Sequence, residues 1–156
     1  MKIKIKYFLF ILIVIWFTGI FLNVLIPCVE LPAGVYLFSE LCYSHVCHQI
    51  TEKTIFIMGR PLLVCSRCFG IYAGLFAASL FSLFISVKRR LQKKYLIFAG
   101  IPMLLDVMLY SVNIYNYSKI TAFLTGLLLG SVGFFYILGA FEKFIAELKS
   151  QDRNLN

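Results

Sequence analysis

The stretch ITAFLTGLLLGSVGFFYILGAF, Ile120–Phe141, contains no charged residue. A helix needs about 20 such residues to cross the hydrocarbon core of a bilayer. Two more runs share this character, Tyr7–Pro27 and Phe69–Val87. A fourth, Tyr95–Val112, carries one charge, Asp106. The rest of the composition agrees. The 156 residues are 61% hydrophobic and only 14% charged, where a soluble domain carries about 25% charged residues. The mean hydropathy is +0.89. The expected fold is all-α: one polytopic membrane domain over residues 1–156, with four transmembrane helices at about 7–27, 69–87, 95–112 and 120–141. Short connections make an antiparallel bundle in the lipid bilayer. Small residues mark seams in such bundles, and Gly70/Gly74 and Gly126/Gly130 place one between the second and fourth spans.

The net charge is +8. It is not the footprint of a nucleic-acid binder, because the basic residues flank spans. Eight of the fifteen fall in two clusters, at Lys2, Lys4 and Lys6 and in the run Lys88-Arg89-Arg90-Leu91-Gln92-Lys93-Lys94. The positive-inside rule makes both segments cytoplasmic. Both termini then lie inside the cytoplasmic (inner) membrane, and the loop over 28–68 faces outward. The first apolar run is too long for an ordinary signal peptide and lacks a small-residue cleavage site. Pro27 argues against lipidation at Cys28, which reads instead as a structural thiol. The sequence names no protein partner.

Within the outward loop, four of the five cysteines and both histidines fall between positions 42 and 68. Its first part, Leu31–Gln49, has the pattern of a short interfacial helix starting near Pro32. If helical, it sets Cys42, His45 and Gln49 on one face. Its second part reads as a small hairpin: Thr54–Met58, a turn at Gly59-Arg60-Pro61, then Leu62–Cys65. A hairpin folds Cys65 back toward Cys47-His48.

Three chemistries fit this cluster. Cys65 and Cys68 have the C-x-x-C spacing that puts two thiolates on one metal ion, and Cys47 and His48 complete a Cys3His set of the kind that binds zinc. Copper(I) suits the same ligands. Cys42, His45 and Asp106 are additional candidate ligands. Gln49 would orient a ligand, and Arg67 would offset thiolate charge. Adjacent Cys47 and His48 cannot easily serve one ion together in regular structure, so one of them supports the other ligands instead. The second chemistry is thiol redox. Cys65 and Cys68 stand where a helix begins, and a helix N-terminus and Arg67 both favour thiolate. Bacterial disulfide-forming membrane enzymes of the DsbB type and the vitamin-K-reductase (VKOR) type are also four-helix bundles with C-x-x-C at the outer surface and a quinone nearby. The third is a disulfide or zinc that only staples the loop, and a further reading of the whole chain is a small structural subunit of a membrane complex. A c-type haem finds no support beyond the stretched Cys42-x4-Cys47-His48.

Asp106 is an intramembrane carboxylate and must face the bundle or a cavity. It is either satisfied by Asn113 or a serine or threonine, or it serves beneath the Cys/His cap as proton acceptor or ligand. Gly100 and Pro102 precede it and loosen the helix.

Cys47-His48-Gln49, Gly59 and Val64-Cys65-x-Arg67-Cys68-x-Gly70-Ile71-Tyr72-x-Gly74 together resemble the prokaryotic membrane proteins grouped as domain of unknown function 2085. A looser similarity continues through Pro102, Asp106 and Thr125-Gly126-x-x-x-Gly130. The chain departs from that pattern at Lys53-Thr54-Ile55, where the family has Arg-Ser-Phe, and at Ala122, where an arginine is expected. The resemblance implies the membrane class and assigns no activity.

Overall fold

The computed structural model describes residues 2–25, 32–84 and 92–155. Cys28, Pro27 and the basic residues Lys88, Arg89 and Arg90 lie outside the described residues. The order of elements is α1 (Lys2–Gly19), α2 (Leu22–Leu25), α3 (Ala33–Val46), a 3₁₀ turn (Thr51–Lys53), β1 (Thr54–Ile57), β2 (Arg60–Cys65), α4 (Ser66–Phe84), α5 (Lys93–Ser111) and α6 (Lys119–Leu155). The chain is mostly helical, and three of its helices are long and apolar enough to cross a membrane: Ser66–Phe84, Lys93–Ser111 and Lys119–Leu148. The apolar part of α1, Ile5–Gly19, is shorter.

The α4–α6 pair is the spine of the molecule. A Cβ on Gly70 or Gly74 would run into the backbone carbonyls of Phe123 or Leu127 on α6. A Cβ on Gly126 or Gly130 would run into those of Arg67 or Ile71 on α4. The four glycines therefore let two backbones touch, which is how helices gain contact when lipid supplies no hydrophobic drive between them. Rings then join α1 to α4: Phe17 stacks on Phe76 at 5.0 Å and on Phe69 at 5.8 Å. Helix α5 packs on α6 and buries only Ala99 and Asp106. It continues as helix through Pro102.

Helix α1 stops at Gly19, well short of the expected end at Pro27, and the cause is tertiary. The Ile20 N–H turns to the carbonyl of Phe17. The Trp16 carbonyl is left without its helical donor, and the Tyr43 hydroxyl of α3 donates to it. Glycine at position 19 leaves room for that hydroxyl: a Cβ there would collide with it, and the Tyr43 side chain would have to shift and give up the bond. The broken segment then docks on the hairpin. The Leu63 N–H donates to the Ile20 carbonyl at 3.3 Å, and Asn23 Nδ2 donates to the Pro61 carbonyl at 2.8 Å.

β1 and β2 are antiparallel, with Thr54 opposite Cys65 and Ile57 opposite Arg60. The two-residue turn is Met58-Gly59, both at positive φ (51° and 76°), the geometry that tight hairpins require. Pro61 therefore lies inside β2, opposite Phe56, and not in the turn. Leu62, Leu63 and Val64 are all buried, at 3%, 5% and 0% exposure. With Ile20, Tyr43 and Cys47 they form a compact cluster that ties α1, α3 and the hairpin together.

Candidate metal centre

Three element ends converge on one point. Cys47 caps the C-terminus of α3 in an extended conformation, its N–H donating to the Tyr43 carbonyl. Cys65 is the last residue of β2, and Cys68 lies in the first turn of α4. The sulfur atoms of Cys47, Cys65 and Cys68 all lie within 4.8 Å of one another. Thiolates sharing a zinc ion at ~2.3 Å bonds stand ~3.8 Å apart, so a small contraction closes the set. Cys42, Cys47, Cys65 and Cys68 are free thiols.

The surrounding backbone is pinned around these thiols. Gln49, at φ 49°, donates from Nε2 to the Leu63 carbonyl at 2.9 Å. Ser66 Oγ donates to the Lys53 carbonyl at 2.8 Å. The Cys65 N–H donates to Cys47 Sγ at 3.2 Å. Hydrogen bonds from the Cys65 and Cys68 side chains hold the Cys47 thiol far below the ordinary thiol range, against the effect of burial, and the Cys65 and Gln49 backbones add to them. Hydrogen bonds to a thiolate favour the charged form.

The other candidates are placed differently. Cys42 is half-buried on α3 and outside the trio. His45 is exposed, with Nδ1 2.7 Å from the Leu41 carbonyl. His48 follows Cys47 and is exposed, because the extended chain there turns alternate side chains to opposite sides. Gln49 lies past the end of α3 and shares no helical face with Cys42. Both histidines line a pocket of about 370 Å³, which also meets the three thiols, Gln49, Lys53, Arg67 and, from α5, Met103.

Asp106 does not join the thiols. It is buried at 4% exposure and forms an ion pair with Arg67 Nη2. The Tyr115 hydroxyl donates to its other oxygen. These partners, a guanidinium and a phenol, replace the expected Asn113 or serine/threonine, and no arginine at position 122 is needed: Ala122 is fully buried there. The sequence signal was present, since Arg67 is the cation between the two cysteines, but its role beside thiolates concealed a partner 39 residues away. Sequence reasoning also missed Lys53, whose ammonium lies 4.3 Å from the Tyr110 ring centroid. The departure at Lys53-Thr54 kept a cation at that position and could have pointed to it.

Asp106→Asn keeps the shape but leaves Arg67 without a countercharge. Breaking one side of a buried pair costs about 3–5 kcal/mol. Arg67 keeps 19% of its side chain exposed, so a loss near the lower end, about 3 kcal/mol, is expected. It should appear as a lower unfolding midpoint in detergent, partly restored by Arg67→Gln in the same chain. An unchanged midpoint would show that the pair does not hold α5.

A family described as "predicted membrane protein", DUF2085, has a sequence model that matches residues 47–136. An uncharacterised protein of Methanocaldococcus jannaschii is 33% identical over 149 residues, covering 90% of this chain and 96% of its own. An uncharacterised protein of Methanothermobacter thermautotrophicus is 41% identical over 46 residues, 30% of this chain and 41% of its own. No solved structure matches the chain.

Proposed function

The chain belongs to the DUF2085 family of predicted membrane proteins, and from that premise we propose that it holds a transition metal, zinc first, at an outward-facing membrane surface. The observation that carries this is the meeting of three sulfur atoms from three separate elements within 4.8 Å. A disulfide staple needs two cysteines, and the third sulfur here lies against both of the others, not apart from them as a cysteine buried only as a small hydrophobe would. Three thiolates suit zinc or copper(I). Cys47, Cys65 and Cys68 are the ligands. Gln49 sets the path of the backbone between Cys47 and the hairpin. His48 as fourth ligand requires its imidazole to turn inward from its exposed position.

In this reading α1 is the first of four spans, continued by α2, and both termini are cytoplasmic. The thiols then lie at the outer surface, and α3 lies in the interface with Leu37, Phe38 and Leu41 toward lipid. All three are well exposed, at 63%, 68% and 58%.

One observation favours a second reading. An apolar groove of about 430 Å³ runs between α1 and α4, lined by Leu9, Leu12, Ile13, Trp16, Phe17, Tyr72 and Leu75. Tyr72 is one turn from Cys68. A quinone in this groove would take two electrons and two protons as Cys65 and Cys68 close to a disulfide.

One experiment tests orientation and metal together. In a chain carrying Cys28→Ser and Cys42→Ser, so that only the trio reports, an impermeant thiol reagent should label the three cysteines in intact cells weakly, and several-fold more strongly after a membrane-impermeant chelator is added. Labelling only after lysis would overturn the orientation. Strong labelling without the chelator would overturn the metal, and labelling only after reduction would favour the disulfide.

A further inference from the structure

A metal held by three thiolates has a fourth position to fill, and the pocket beside it is larger than an ion requires. Its volume is about 370 Å³, at the lower end of the ~300–1,000 Å³ typical of small-molecule sites. Sites that only stabilise a fold are closed by four protein ligands, whereas those that act on something keep one position open. Among the described residues, the ligand atoms close enough to act together are the three sulfurs alone.

The pocket also selects by charge. Its lining includes Lys53 and Arg67 and no carboxylate. Arg67 is neutralised by Asp106, though its Nε is buried without a hydrogen-bond partner. Lys53 is not. Its ammonium rests against Tyr110 and Tyr117, 4.3 Å and 5.4 Å from their centroids, and among the described residues no carboxylate pairs with it. Aromatic faces hold a cation in place without cancelling its charge. The pocket therefore presents one fixed cation, unpaired with any described carboxylate, beside a centre where a divalent metal and three thiolates sum to −1.

We propose that the fourth coordination position is filled from solution by a small thiol that also carries a carboxylate. This rests on the metal reading above. The sulfur ligates the metal as thiolate and loses its proton to water, and the carboxylate meets Lys53. The protein would then be a receptor for a small anionic thiol, with the metal as its point of attachment.

The full chain in detergent, loaded anaerobically with cobalt(II), tests this. Thiolate-to-cobalt charge transfer should rise by roughly one third when 3-mercaptopropionate is added, as three thiolates become four. Propionate should have no effect. Half-saturation by 2-mercaptoethanol should need about fivefold more ligand, the worth of one ion pair open to solvent. Lys53→Met should erase that difference while leaving the spectrum of the ligand-free protein unaltered. Equal half-saturation by the two thiols in the native chain would overturn the carboxylate recognition. A cobalt–thiolate spectrum that no thiol changes would overturn the open position and leave the metal reading standing. Absence of any cobalt–thiolate spectrum would sink the metal reading itself.

Discussion

Gly126→Leu should abolish both the fold of the upper bundle and metal retention. The glycine faces the Arg67 carbonyl on α4 so closely that even a methyl group would collide with it. Backbone cannot move aside as a side chain can, so a leucine must push α4 and α6 apart. The Gly70/Gly74 contacts on the opposite strip of the seam would be lost in the same displacement. A core overpacked against backbone exceeds the usual 1–3 kcal/mol, and a loss on the order of 4–5 kcal/mol is expected. Arg67 lies between Cys65 and Cys68, so the displaced turn carries a ligand with it. The same helix provides a control. Nothing lies within 4 Å of a Cβ built on Gly133 or Gly139, and Gly133→Leu should be nearly neutral. Unfolding midpoints and bound metal, measured on both variants in detergent, check this. Similar behaviour of the two would mean that the close seam is not what holds the bundle.

That seam was legible in the sequence as paired G-x-x-x-G spacings, but its consequence was not. Spacing says that glycines share a face; only the crossing shows that each faces a carbonyl. The apolar runs were legible because charge exclusion is a property of composition. The hairpin was legible because Met58-Gly59 separates two β-rich runs, although Pro61 drew the turn too far along. The end of α1 was not legible. Within Trp16–Ile20, Gly19 is a weak stop that membrane helices commonly carry through, and the interruption depends on the hydroxyl of Tyr43, placed there by α3. The thiol trio was readable because C-x-x-C is local and a hairpin returns the chain. The exposed position of His48 depends on the extended C-cap of α3, which its neighbours in sequence do not announce. The Arg67–Asp106 pair depends on how α5 docks, and each residue had a sufficient local explanation without the other.

Cys47→Ser should weaken metal binding by on the order of 10³-fold or more. Groups that only orient ligands typically give 10–100-fold when replaced, and loss of a ligand should exceed that. Serine keeps an acceptor for the Cys65 N–H, so the local backbone has reason to stay in place. What disappears is the soft, charged sulfur. Because thiolates must be free of protons to bind, affinity should also fall as pH falls in the native chain. The expected ordering discriminates among roles. Cys65→Ser and Cys68→Ser should match Cys47→Ser. Gln49→Ala should fall in the 10–100-fold range, because it releases the backbone next to Cys47 without removing a ligand. Cys42→Ser should be neutral, since that thiol lies outside the trio. His48→Ala separates the two accounts of the fourth position: a protein ligand would cost as much as a cysteine, while a residue that only lines the pocket would cost less than tenfold. Competition with a chromophoric chelator gives all of these affinities on one scale. Retention of native affinity by Cys47→Ser would remove the buried thiol from the site and, with it, the strongest reason to place a metal there.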